Sequence, residues 1–76
     1  MAEPSPDTVA RRFCRALSLE VEGQPMQWRS VFLIAARARI ENARDVEHTI
    51  DHAHAQGWIE FDADQVCLTE TGSRLA

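Results

Sequence analysis

The chain has 76 residues, of which 45% are hydrophobic and 26% charged, and its formal net charge at pH 7 is −4. This length predicts one domain with a single modest core, and this composition is typical of a folded protein rather than a disordered segment. The longest apolar run, VFLIAA, is too short to span a membrane, and the first residues do not resemble a secretion signal. Because two cysteines are too few for a disulfide framework, we expect a reduced cytoplasmic protein without a membrane partner.

Charge is distributed unevenly along the chain. All eight basic residues are arginines, and the six within residues 1–40 accompany four acids, which gives that part a net charge of +2. Residues 41–76 carry two arginines and eight acids, a net charge of −6. A surface built from the second half is therefore expected to repel polyanions.

The beginning of the chain predicts a helix followed by a strand. Residues 1–6 lack a core-forming pattern and are expected to be a disordered N-terminus, with one domain over residues 7–76. Ser5 or Asp7 can cap a first helix that runs from about Asp7 to Ser18, where apolar residues recur at three- and four-residue steps. The alternating segment LEVEG then predicts a short strand before the turn signal GQP.

The middle of the chain predicts two more helices. The second should begin near Gln27 or Trp28 and is apolar on almost every side, which is typical of a helix packed between neighbours. Its inward stripe is expected to be Trp28, Val31, Phe32, Ala35 and Ala38. The third helix follows a cap at Asn42 or Asp45. At 100° per residue, its buried face is expected to be Val46, Ile50, Ala53 and Gly57.

The apolar period then changes from helical to alternating. WIEF and VCL predict two strands joined by DADQ as a four-residue hairpin loop. Glu60 and Cys67 are expected to point outward, whereas the inward positions are Ile59, Phe61, Val66 and Leu68. Thr69 can cap a last short helix.

This order of elements resembles the winged helix-turn-helix fold, a mostly helical α+β fold with a three-helix core, a two-stranded wing hairpin and a short C-terminal helix. The resemblance covers residues 29–76. Within it, Ala35-Ala36, Ile40 and Val46 have the spacing of a helix-turn-helix. GWI after the third helix and LTETG after the hairpin are similar to the corresponding ends of MarR-like and related bacterial winged-helix domains.

The resemblance implies a small non-enzymatic module, a DNA-binding transcriptional regulator in many members of the family. In those proteins the third helix enters the major groove and the wing lies along the DNA backbone. Carried over to this sequence, the binding surface is Arg44, His48, Asp51, His52 and Ala55, with Ala63 and Asp64 near the wing tip.

The acidity of this surface leaves two kinds of partner open, because DNA affinity rests largely on arginine and lysine contacts with phosphates. The first is DNA, bound by the third helix of a dimer or by an alternative basic face that comprises Arg11, Arg15, Arg37 and Arg39. The second is a basic protein or the arginine face of another copy, docked on the acidic helix and wing without any DNA binding.

A metal site and an enzyme active site have less support from the sequence. Asp45, His48 and His52 share one side of the third helix, but a zinc site needs further ligands and Cys67 is the only thiolate nearby in the predicted fold. The chain has no glycine-rich phosphate loop and no nucleophile motif, and we expect Trp28 and Trp58 to anchor the core rather than stack on bases. We therefore expect no catalytic residues, no metal and no cofactor.

Overall fold

A computed structural model describes residues 5–75, which form four helices around a three-stranded antiparallel sheet. The order β1-β3-β2 places the last strand in the centre of the sheet. The helices are α1 (Pro6–Glu20), α2 (Val31–Arg37), α3 (Ala43–Ala55) and α4 (Glu70–Leu75), and the strands are β1 (Arg29–Ser30), β2 (Ile59–Asp62) and β3 (Gln65–Leu68). The predicted class, mostly helical with a small antiparallel sheet, is thereby confirmed. In the described range no helix is both long enough and apolar enough to cross a bilayer.

The first helix starts as predicted but ends later. The side chain of Ser5 accepts a hydrogen bond from the Thr8 N–H, and Pro6 is the first helical residue. These two residues were predicted to belong to the disordered N-terminus, whose other members, residues 1–4, lie outside the described residues. The strand predicted for LEVEG is wrong, because the helical spacing continues to Val21, which is buried and donates its N–H to the Leu17 carbonyl.

Three helices end with the same pair of backbone hydrogen bonds, the Schellman motif. At the end of α2, the N–H groups of Arg39 and Ile40 donate to the carbonyls of Ala36 and Ala35, and the equivalent bonds close α1 and α3. The residue that must adopt a positive φ angle is Glu22 after α1, Arg39 after α2 and Gly57 after α3. Gly57 adopts this conformation freely, whereas for Glu22 and Arg39 the left-handed conformation is sterically unfavourable.

The second helix begins three or four residues later than the sequence predicts. Arg29 and Ser30 form the edge strand β1, paired with Val66 and Gln65, and this long-range pairing overrides the local helical pattern. Phe32 is not part of the buried stripe but has 69% of its surface exposed, because it lies about 100° from Val31 on the helical wheel. Trp28, which precedes β1, is also exposed. Val31, Ala35 and Ala38 are buried, as predicted.

The hairpin is tighter than predicted. Its two strands are joined by Ala63 and Asp64 alone rather than by four residues, and Ala63 has a φ of 54°. The N–H of Val31 donates to the carbonyl of Asp64 over 2.8 Å. This bond attaches the tip of the hairpin to the start of α2.

The core lies where α1, α3 and the sheet meet. Its fully buried residues include Phe13, Leu17, Ile34, Ile59, Val66 and Leu68. Both cysteines are fully buried as well, which corrects the outward position predicted for Cys67: β3 is the central strand, and its neighbours shield it on either side. Burial raises the pKa of the Cys14 thiol to about 12, so this side chain is unreactive. Phe61 was predicted to face inward but is 44% exposed, and Gly57, expected on the buried face of α3, is also exposed.

The helix ends give a direct test of the backbone geometry. We expect Arg39→Gly to stabilise the protein by about 1 kcal/mol, because glycine adopts the left-handed conformation without steric cost. Conversely, Gly57→Ala should destabilise the protein by about 1 kcal/mol, because alanine adopts a positive φ only at a steric cost within its own backbone. A collision with neighbours does not contribute, since no neighbouring atom lies within 4 Å of the added methyl group. Urea unfolding measures both changes, with Arg39→Ala as the control that removes the charge and keeps the backbone strain. Equal stability of Arg39→Gly and Arg39→Ala would show that the backbone of Arg39 is not strained by its positive φ angle.

Candidate functional site

The outward side of α3 carries most of the residues that the sequence places in a binding surface. Asn42 caps the helix by accepting a hydrogen bond from the Arg44 N–H, and Thr49, Ile50 and Ala53 fix the helix against the core. Four predicted residues are therefore exposed along one side of the helix: Arg44, His48, Asp51 and Ala55. The structure brings these four together as expected.

His52 was also predicted to lie on this exposed side, and that prediction is wrong. Its side chain is half-buried against α1, with Nε2 at 3.5 Å from Asp7 Oδ1 and its ring edge-on to Trp58 at 6.0 Å between centroids. Nε2 is buried, and Asp7, whose Oδ1 is at the edge of hydrogen-bond distance, is the one acidic residue within 4.0 Å of it in residues 5–75. His52 thus contributes to the packing of α3 on α1 rather than to the exposed surface.

Asp7 and Arg11 complete this contact between α1 and α3. Arg11 Nε donates to Asp7 Oδ2 over 2.7 Å, and its guanidinium lies 5.3 Å from the centre of the Trp58 ring. The hydrogen bond from Arg11 holds the pKa of the Asp7 carboxyl below its usual value of 3.8, although partial desolvation opposes this effect. Arg11, predicted as part of a basic DNA-binding face, is therefore already engaged within the chain.

His54 connects the far end of α3 to the hairpin. Its Nε2 lies 4.0 Å from Glu60 Oε2, and its ring meets the Phe61 ring edge-on at 5.1 Å between centroids. The hairpin is thereby held beside α3 at its base, and its tip is held by the bond between Val31 and Asp64. These contacts join the outward side of α3 and the hairpin into one surface.

That surface is strongly acidic. Its carboxylates, which we call the acidic surface, are Glu47 and Asp51 on α3 and Glu60, Asp62 and Asp64 on the hairpin, all on exposed residues. Arg44 is the one arginine of α3, and the hairpin has none. Of the five acids, only Glu60 has a basic side chain within 4.0 Å in the described part of the chain. The surface therefore has unneutralised negative charge available for a partner.

Apolar side chains border the acidic surface on α2. Phe32 is 69% exposed and Leu33 is 38% exposed. Phe32 directly follows Val31, whose N–H donates to the Asp64 carbonyl, so the backbone of α2 begins next to the hairpin tip. The sequence could have revealed this pair, since at 100° per residue both side chains point away from the buried stripe that contains Val31.

The residues suggested for a metal site are not brought together. Asp45 and His48 are exposed, whereas His52 turns toward α1 and Cys67 is buried in the sheet. Within residues 5–75 no group of three or more histidine, cysteine, aspartate or glutamate side chains could hold a metal ion. Burial also raises the pKa of the Cys67 thiol, which opposes formation of the thiolate that zinc requires.

The predicted basic face is likewise dispersed. Arg11 is bound to Asp7, Arg37 lies 3.8 Å from Glu20, and Arg39 occupies the turn after α2. Arg15 instead lines an open cleft of about 430 Å³ together with Arg11, Arg12 and Leu75. Sequence reasoning missed Arg12, although its position on the α1 helical wheel predicts an outward side chain.

A larger open cleft, of about 590 Å³, lies between the start of α1, the turn before α3 and α3 itself. Its lining includes two arginines, Arg12 and Arg39, and two acids, Glu41 and Asp45. Because the lining carries charges of both signs without ion pairs among the described residues and the cleft is open to solvent, its composition favours no particular ligand.

Comparison of the chain with protein-family models, with curated protein sequences and with solved structures gave no significant match. Functional inference therefore rests on the geometry and charge of the chain itself.

The contact between Asp7 and Arg11 has a predictable pH dependence. Because the pKa of Asp7 is lowered in the folded state, its contribution to stability is present above pH 3.8 and is lost as the pH falls through the lowered value. We expect Asp7→Asn to reduce the melting temperature at pH 7, and the difference from the wild type to shrink as both proteins are melted below pH 3.8. Asp51→Asn, at an exposed position of α3, is the matched control. A difference that persists at pH 2 would mean that Asp7 acts through packing rather than charge.

Proposed function

We propose that this chain is a non-enzymatic winged-helix module whose acidic surface binds a protein partner rather than DNA. The observation that carries the proposal is the combination, on one side of the molecule, of unneutralised carboxylates with an exposed aromatic ring. The partner it fits presents basic side chains around an apolar contact.

The arrangement of the elements supports the winged-helix part of the proposal. The order is helix, strand, helix, helix, hairpin, helix, and β1 pairs with β3 so that the hairpin extends from the sheet beside α3. Ile40 is buried and Val46 is packed against the core at the turn between α2 and α3. A winged helix-turn-helix has the same order of elements.

Electrostatics supports a partner other than DNA. In a winged helix that reads DNA, α3 and the hairpin would lie against phosphates, and those elements here carry the acidic surface. Non-specific DNA affinity arises almost entirely from cations that replace counterions at the phosphates. Arg44 alone on α3 does not offset the charge of five carboxylates. DNA binding by this surface remains the competing function, favoured by the topology and opposed by the charge.

Exposed apolar groups support protein binding in particular. Phe32 and Leu33 lie next to each other on α2, and Phe61 is exposed on the hairpin. Aromatic side chains at the centre of an interface contribute strongly to protein–protein affinity, and charges around them set orientation and encounter rate. Exposed apolar groups on α2 and the hairpin, together with carboxylates on α3 and the hairpin, supply both kinds of contact.

Charge reversal on the acidic surface tests the proposal. We expect the wild type not to bind a generic DNA duplex at about 20 mM salt, where phosphate attraction is weakly screened. Asp51→Lys/Asp62→Lys should bind the duplex measurably, with an affinity that falls as salt increases, because it places lysines on the two elements that would meet DNA. Fluorescence anisotropy of a labelled duplex measures both.

The matched control is Glu22→Lys/Glu70→Lys, which changes the net charge equally but lies on the turn after α1 and on α4. Duplex binding by the wild type would contradict the proposal outright. Equal binding by the control and the surface variant would show that overall charge, rather than the position of the charge, governs DNA affinity. The acidic surface would then give no reason to prefer a protein partner.

A further inference from the structure

We propose that the partner of the acidic surface is a second copy of this chain, which docks the outer side of its α1 there and so forms head-to-tail assemblies. This inference rests on the proposed function. It identifies the basic partner with a surface that the same chain carries.

The outer side of α1 has the composition that the acidic surface requires. Arg12, Arg15 and Leu19 lie within about 60° of one another on the helical wheel, opposite the buried residues of α1. We call these three residues the arginine ridge. Leu19 is 76% exposed, the highest exposure among the large apolar side chains of the described residues. The ridge thus combines two cations with an apolar contact.

Neither surface has its charges paired within the described residues 5–75. Arg12 and Arg15 form no ion pair with any residue in the range 5–75, in contrast to Arg11, which is bound to Asp7. Asp51, Asp62 and Asp64 are likewise without a basic neighbour in that range. Unlike charges left unpaired on two surfaces of one chain are satisfied when the surfaces of two copies meet.

The apolar contacts match in the same way. Leu19 on the ridge and Phe32 beside the hairpin tip are both exposed, and burying one against the other removes both from water. The arginines would then surround this contact on one copy and the acids on the other, which is the arrangement of a protein interface with an apolar centre and a polar rim.

The two surfaces are made by different elements, so the interface is heterologous. Docking the ridge of one copy on the acidic surface of the next leaves a free ridge at one end and a free acidic surface at the other. Such an arrangement continues to further copies or closes into a ring, and it does not stop at a symmetric dimer. We therefore expect a concentration-dependent series of oligomers.

Sedimentation equilibrium of the wild type gives the first test. At about 20 mM salt and up to about 1 mM protein, we expect the average mass to rise above the 8.6 kDa of one chain as the concentration increases. At about 1 M salt, where the screening length falls to about 3 Å, the mass should return to that of one chain. A mass of 8.6 kDa at every concentration in low salt would overturn the proposal without involving any variant.

Removal of the ridge charges gives the second test. Arg12→Gln/Arg15→Gln should weaken the association about tenfold, and Arg37→Gln/Arg74→Gln, which changes the net charge equally elsewhere, should leave it within about twofold. Equal weakening by the two variants would assign the association to overall charge and overturn the assigned surface.

A mixing experiment tests the head-to-tail geometry. Arg12→Glu/Arg15→Glu retains the acidic surface, and Asp51→Asn/Asp62→Asn retains the ridge without placing new cations opposite the reversed one, so we expect each to be monomeric alone. Mixed in equal amounts, they should form a complex with twice the mass of one chain and no larger species, because each provides one working surface. Absence of the complex, or its growth beyond two copies, would contradict the geometry.

These results are distinguishable from a failure of the proposed function. If the wild type stays monomeric and also fails to bind a duplex, the second copy is excluded and a different basic protein is left as the partner. If the wild type binds a duplex through α3 and the hairpin, both proposals fall together.

Discussion

Trp58 is the residue on which the arrangement of the other elements depends. It directly follows the left-handed Gly57, and its N–H donates to the Ala53 carbonyl at the end of α3. Its carbonyl accepts from the Thr69 N–H at the start of α4, and its ring lies beneath Arg11 of α1. One buried residue thereby contacts α1, α3 and α4 at the point where β2 begins.

The close approach of α4 to Trp58 explains the glycine within that helix. A methyl group at Gly72 would collide with the Trp58 carbonyl group, so the helix packs at this distance only with glycine at that position. Thr69 strengthens the same junction, since its hydroxyl donates to the Gly57 carbonyl and also accepts from the Gly72 N–H. The base of the hairpin is thus fixed from both sides. This rigidity supports a binding surface composed partly of hairpin residues.

Local signals in the sequence predicted the elements whose ends are set by neighbouring residues. The caps at Ser5, Asn42 and Thr69 and the amphipathic pattern of α3 depend on contacts within one turn of chain, and all four appear in the structure. The onset of α2 depends instead on the pairing of β1 with β3, more than thirty residues away. Long-range pairing of this kind leaves no local pattern. The exposed position of Phe32 was missed for a different reason, because the predicted stripe included a residue about 100° from Val31 on the helical wheel.

The candidate site shows the same division. Arg44, His48, Asp51 and Ala55 could be placed on the outward side of α3 because helical spacing alone decides their direction. His52 could not, since its direction is decided by Asp7 and Trp58, which helical spacing does not reveal. The acidity of the surface was visible in the sequence, whereas the separation of the ridge arginines from Arg11 required the side-chain contacts.

The order of the elements favours DNA binding by α3 and the hairpin, whereas the carboxylates on those elements disfavour it. The proposed function follows from the charge. The most direct measurement is a backbone amide NMR titration of the isotopically labelled wild type with a generic DNA duplex at about 20 mM salt. The account predicts no chemical-shift changes along residues 44–56 and 60–66. Progressive shifts in both segments would contradict it, and would establish a winged helix that reads DNA despite its acidic surface.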